Sequence, residues 1–134
     1  MKNPFSIGDT KTFSRVVAPE HFAAFDSGVV HPVLATFWIA RDAEWVCRLF
    51  VLEMKEEGEE GIGASVTVQH SSPALEGQQV NYRATLTAVE GNKVVCSWQA
   101  TVEGRLIASG EQVQYILEKA RFERTLEKIR RGEK

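Results

Sequence analysis

The sequence predicts an α+β fold in which one long helix lies against a curved, mostly antiparallel sheet of about five strands, closed by a C-terminal helix. Three observations predict it. Val33 to Lys55 contains neither Gly nor Pro and is rich in Leu, Ala, Trp, Phe, Arg and Glu, the composition of an uninterrupted helix. Downstream, Ile62–His70, Gln78–Val89, Lys93–Val102 and Arg105–Leu117 read as strands, the last three joined by the hairpin signals Glu90-Gly91-Asn92 and Glu103-Gly104. The chain of 134 residues suits a single domain over 1–134, with a core small enough to gain from a second copy.

Taken in order, Thr10–Val17 loosely alternates polar and apolar residues, as a half-buried strand does. Pro19 stops it, and Pro19–Phe25 reads as a helical turn or two because Pro is at home at a helix start. Asp26-Ser27-Gly28 is a turn. The main helix, Val33–Lys55, would run roughly 34 Å at the standard rise. It is apolar almost all round, through Leu34, Phe37, Trp38, Ile39, Ala43, Trp45, Val46, Leu49, Phe50 and Leu52. A helix of that kind is expected to be covered on several sides, by a sheet that wraps it and by a second copy. Its charged residues Arg41, Asp42 and Arg48 are expected on an exposed edge. The helix ends in Glu-Glu-Gly-Glu-Glu-Gly. In Ile62–His70 the residues Ala64, Val66 and Val68 face one way. Glu118–Arg131 places Ala120, Phe122, Leu126 and Ile129 among many basic residues and reads as an amphipathic helix docked on the surface.

Composition excludes several classes of function. A net charge of −2 gives no global attraction for nucleic acid or an anionic membrane. No run approaches the roughly 18 apolar residues of a membrane span, and MKNPFSIGDTKTF has no apolar signal core, so the cytoplasm is the expected location. Cys47 and Cys96 have no metal-ligand or C-x-x-C spacing and are expected as buried, reduced thiols. The three histidines have no carboxylate at ligand spacing, so neither a metal nor another cofactor is expected.

The chemistry-bearing residues are Thr36 near the start of the long helix, Glu44 within it, and His70 at the end of a strand. A hydroxyl, an acid and an imidazole are the parts that cleave an ester or thioester. Taken alone, Thr36 is an ordinary helix N-cap, His70 an ordinary strand-end histidine, and Glu44 an i, i+4 partner for Arg48. Their arrangement is less ordinary. Ala35-Thr36, then Glu44 eight residues on, then His70 closing a strand that begins near Gly63, with Gly77 opening the next strand, resembles the fluoroacetyl-CoA thioesterase-like family of the hotdog-fold thioesterases over Val29–Leu117.

The resemblance implies a hotdog fold, thioesterase activity on acyl-CoA, and active sites built at the interface of a homodimer. Glu44 would act as base, or as a nucleophile forming an anhydride; His70 would shuttle protons and Thr36 would position at the helix N-terminus. Partial desolvation near Trp38 and Trp45 would tune Glu44 as a base. Gly63 would let backbone approach the acyl group, and Val30 and His31 would line the substrate entrance. The family's aromatic lid before the Thr has no counterpart in Ser27-Gly28-Val29-Val30, so the expected substrate is a short or medium acyl-CoA. Along one straight helix Thr36 and Glu44 are separated by about 12 Å of rise, so Glu44 is expected to meet the helix N-terminus of a partner copy. The competing reading is a non-catalytic acyl-CoA or small-ligand binding module on the same fold; a dehydratase is disfavoured because its helix acid pairs with a loop histidine.

Overall fold

The structure is a computed structural model that describes residues 1–133. Its strands are β1 (Thr10–Val16), β2 (Phe22–Phe25), β3 (Gly28–Leu34), β4 (Glu59–Val66), β5 (Gln69–His70), β6 (Gln79–Glu90), β7 (Lys93–Val102) and β8 (Arg105–Glu118). The helices are α1 (Thr36–Met54) and α2 (Lys119–Arg130). The main sheet is antiparallel throughout, in the order β1-β6-β7-β8-β4, with β5 also paired to β8; β2 and β3 form a separate hairpin.

The sheet wraps α1. Inward residues alternate along it, with Val80, Tyr82, Ala84 and Leu86 on β6, Val94, Cys96, Trp98, Ala100 and Val102 on β7, and Ala108, Gln112, Gln114 and Ile116 on β8. They meet Ile39, Ala43, Val46, Cys47, Phe50, Val51 and Met54 of the helix in one core. At the β7–β8 turn Glu103 and Gly104 both take positive φ, 48° and 80°, the pair of angles a type I′ hairpin requires. Both cysteines are buried and free; contact with the Cys96 thiol and burial push the Cys47 thiol far above its usual range, so it is inert. No helix among the described residues is long and apolar enough to cross a membrane.

Several expectations are corrected. The helix starts at Thr36, three residues later than composition suggests, because the preceding backbone has tertiary partners. Val33 bridges Leu75, Leu34 N–H donates to Ala74 O at 2.9 Å, and Ala35 N–H donates to His21 O at 2.9 Å. Pro19–Phe25 forms only a 3₁₀ turn, Pro19–His21, and then the strand β2. Within a single chain α1 is buried along a stripe, and Phe37 and Trp45 are 73% and 39% exposed. Asp42 is fully buried: the Arg15 guanidinium grips it with two bonds of 2.5 and 3.0 Å, and Arg41 adds a third at 3.2 Å. Arg48 is half-buried, bonded to Glu60 at 2.8 Å and to Gly61 O at 3.3 Å. The amphipathic C-terminal segment forms α2, which follows β8 directly and buries none of its residues fully.

The expected strand Ile62–His70 is broken. Ala64 falls at a register shift and is exposed, and Thr67–Val68 separates β4 from β5. There Thr67 crosses close over β8. Its N–H donates to Glu111 O at 2.8 Å, and Glu111 N–H donates to Thr67 Oγ1 at 2.9 Å. Only glycine at 110 permits the crossing, because a Cβ there would lie 1.9 Å from Thr67 O. The detour returns His70 to the sheet beside Ala108.

Candidate active site

Two of the three chemistry-bearing residues meet within one chain. Thr36 opens α1 and His70 ends β5, and the detour at Thr67 brings them together: Thr36 Oγ1 lies 2.9 Å from His70 Nδ1. The opposite ring nitrogen, Nε2, lies 3.1 Å from Ser72 O. A carbonyl oxygen can only accept, so Nε2 carries the hydrogen and donates it to Ser72 O. In a neutral imidazole Nδ1 is then the lone-pair nitrogen, and the Thr36 hydroxyl donates to it. The result is a hydroxyl, an imidazole base and a group that fixes the base's tautomer, the logic of a nucleophile–base pair with a backbone carbonyl as the orienting member.

Arg105 holds that carbonyl in place. Its Nη1 donates to Ser72 Oγ and, at 2.7 Å, to Pro73 O, pinning the loop that follows β5. Thr36 is the first helical residue after Ala35, and no side chain caps α1. The N–H groups of this first turn therefore have no side-chain acceptor at the positive end of the helix dipole.

Glu44 stands elsewhere. Its carboxylate lies against Gly63 on β4, where a Cβ would come within 2.9 Å of Oε1. The room that glycine provides is occupied by the acid. The surrounding cavity, about 260 Å³, is lined by Arg41, Glu44, Trp45, Arg48, Gly63, Gln112 and Gln114. It shares no residue with the depression formed by His70, Ser71, Ser72 and Pro73. Glu44 is exposed in the single chain, and the expected flanking by Trp38 is not found. Trp38 packs edge-on against His21 at 4.7 Å and beneath the guanidinium groups of Arg15 and Arg41. Arg48 pairs with Glu60, so the i, i+4 ion pair with Glu44 does not form.

Val30 and His31 lie on β3 in the outlying hairpin, both exposed, with His31 in register with Ala23. Among the described residues no cluster of His, Cys, Asp or Glu is suited to a metal ion. Two site features escaped the sequence reading: Arg105, and the buried glutamines of β8. Alternation along β8 does carry a signal for the latter, since Gln112 and Gln114 share the inward parity of Ala108 and Ile116.

Comparison with known proteins identifies the family and the fold. The sequence pattern of the fluoroacetyl-CoA-specific thioesterase family, FlK, matches residues 17–120. Among solved structures, a Thermus thermophilus hypothetical protein described as a thioesterase superfamily member is 38% identical, with a TM-score of 0.91 and 96% of each chain covered. The fluoroacetyl-CoA thioesterase FlK is 23% identical, with a TM-score of 0.85 over 94% of this chain and 98% of its own. A hot-dog-like protein of Thermanaerovibrio acidaminovorans is 20% identical, with a TM-score of 0.83 over 91% of this chain and 90% of its own. No curated protein matches the sequence.

Proposed function

Because the chain belongs to the fluoroacetyl-CoA-specific thioesterase family and is a thioesterase, we propose that it hydrolyses a short or medium acyl-CoA to the free acid and CoA, in a site shared between two copies. Thr36 and His70 come from one copy and Glu44 from its partner. The observation that carries this reading is the 2.9 Å contact between Thr36 Oγ1 and His70 Nδ1 at an uncapped helix N-terminus.

The chemistry follows from the parts. Glu44 draws a proton from water as the water oxygen attacks the thioester carbonyl. Negative charge collects on the carbonyl oxygen, where the first-turn N–H groups of α1 stabilise it without reorganising. The C–S bond then breaks and CoA leaves as a thiolate, an undemanding leaving group because thiols ionise near a pKa of about 8.5. His70, whose Nδ1 accepts the Thr36 hydroxyl, takes up and returns protons through Thr36.

A partner copy is supported by what the single chain leaves open. Phe37 and Trp45 on α1 and Ile62 on the edge strand β4 are exposed apolar groups near Glu44 and Thr36. A second copy laid there would cover them and shield the acid from bulk solvent while leaving room for the attacking water. Mutants of FlK have been crystallised with fluoroacetate and CoA and with acetyl-CoA. Those ligands mark the acyl-CoA class to test first. No Phe stands in the Ser27–Val30 stretch of this chain, which argues against fluoroacetyl selectivity.

Steady-state thiol release from a panel of acyl-CoAs, run beside Glu44→Gln and His70→Ala, tests the reading. Turnover by the parent and a loss of about 10²-fold or more in each variant are expected. No turnover on any thioester, or full activity in either variant, defeats it. Mixing the two variants as unfolded chains and refolding them together tests the shared site. A shared site restores about a quarter of the parent activity, because half of the dimers are mixed and each mixed dimer has one intact site. A site within one chain restores none.

A further inference from the structure

We propose that Gln112 is a further residue of the hydrolytic site: its side-chain carbonyl accepts one hydrogen of the attacking water while Glu44 accepts the other. The proposal rests on the reading of Glu44 as the base.

Gln112 and Gln114 sit two residues apart on the inward row of β8, both 2% exposed. Gln114 shows a structural use of such a position. Its Nε2 donates to Cys47 O at 3.0 Å and ties the strand to α1. Gln112 has no such role; its Oε1 is buried and has no hydrogen-bond partner in the protein. Buried polar atoms are nearly always bonded, so an orphan calls for an explanation. Two other buried atoms among the described residues share this state, Tyr82 Oη and Trp98 Nε1, but neither residue lines the cavity that holds Glu44. Gln112 does.

The pairing has a chemical consequence. Both groups are acceptors, and water has two hydrogens to give. Oε1 is closed to water in the single chain, so the Gln112 amide must turn its carbonyl toward the cavity about its soft terminal torsion. A water that then donates one hydrogen to the Glu44 carboxylate and the other to Gln112 Oε1 is fixed in orientation, with its lone pairs turned away from both. As one lone pair forms the new C–O bond, the proton on the Glu44 side transfers to the carboxylate. The O–H directed at Gln112 stays with the oxygen and becomes that of the product acid. The C–S electron pair leaves with the thiolate, which takes the proton from Glu44 or from solvent. Gln112 stays neutral throughout and holds the nucleophile in its attack geometry.

Kinetics of Gln112→Met, an unbranched replacement of similar length without the amide, test this. The expected result is a fall in kcat of about 10- to 100-fold with KM held within about twofold. Melting temperature should be unchanged or raised, since an unpaired buried polar atom is removed. In a Glu44→Gln background Gln112→Met should cause no further loss, because the two groups act on one water. Unchanged kcat, a loss confined to KM, or a multiplicative loss in the double variant overturns the proposal. Should Gln112→Met not fold, Gln112→Asn withdraws the carbonyl by about one C–C bond, roughly 1.5 Å, and must show the same fall in kcat. Full activity in Glu44→Gln would instead remove the base itself. An impaired Glu44→Gln beside an intact Gln112→Met defeats this inference alone.

Discussion

Asp42 and Glu44 are two carboxylates separated by one residue on the same helix, and they have opposite fates. At about 100° per residue they point roughly 200° apart. Asp42 turns into the protein, where Arg15 and Arg41 surround it and Tyr82 is buried beside it. Burial, and then the negative field of Asp42, push the Tyr82 hydroxyl well above its ordinary range, which keeps it un-ionised. Glu44 turns outward, into the space above Gly63, and among the described residues forms no ion pair. The oxygens of Asp42 are occupied by arginine donors and closed to a substrate, whereas those of Glu44 have no cationic partner and face open space. The contrast separates an acid that holds the fold from an acid available for chemistry.

The widest separation should appear when each acid is replaced by its amide or by Ala. Asp42→Ala leaves the Arg15 charge largely buried without its partner and is expected to cost about 3–5 kcal/mol of stability, read by urea or thermal unfolding. Glu44→Gln should shift stability by no more than about 0.5 kcal/mol, as for other surface changes, while losing most of its turnover. Equal stability losses in the two variants would erase the distinction.

How far this was legible in the sequence depends on the range of the interactions. The strands β6 to β8 and their turns follow from local alternation and Gly placement, and they fall within a residue or so of expectation. The helix start was not legible, because Val33–Ala35 are held extended by Leu75, Ala74 and His21, all distant in sequence. Asp42 misled for the same reason: its partner Arg15 lies 27 residues earlier, on β1. Thr36 and His70 were singled out from the sequence through family register. Their contact depends on the break at Thr67, which depends in turn on Gly110. Nothing local to either residue encodes that break.

Glycine offers a second way to sharpen the contrast. At Gly63 an added Cβ would meet only the tip of the Glu44 side chain, at 2.9 Å. Gly63→Ala should therefore leave stability within about 1 kcal/mol. It should displace the carboxylate and lower kcat by about 10- to 100-fold, since misplacements near 1 Å cost that much. A fully active, equally stable Gly63→Ala would show that the position of Glu44 is immaterial. Smaller still is the effect expected at Arg105, which acts through Ser72 on His70. Arg105→Gln should lower kcat by about tenfold, the equivalent of one hydrogen bond of roughly 1.4 kcal/mol. The loss should fall on kcat with KM held within about twofold, because the orientation of His70 is relaxed; an unchanged kcat would limit Arg105 to a structural role.

The smallest effect concerns a third carboxylate, which holds Arg48 of the Glu44 cavity. Glu60 accepts from Lys55 at 3.0 Å and from Arg48 at 2.8 Å, and these bonds, with that from Gly61 N–H, lower its pKa from 4.5 to about 2. A carboxyl whose pKa is lower in the folded than in the unfolded chain contributes stability that is complete above the unfolded value and lost as pH falls through the folded one. The window is therefore pH 4.5 down to about 2. Because Glu60 is partly exposed, solvent and salt screen the pair and the contribution is small. Stability measured across that window should fall less steeply in Glu60→Gln than in the parent, and the gap should close in high salt. At neutral pH Glu60→Gln should also free Arg48 from its acidic partner at the rim of the Glu44 cavity. If Glu44 owes its reactivity to having no cation bound to it, an Arg48 released to pair with it should lower kcat; unchanged turnover would mean that Arg48 stays anchored through Gly61 O.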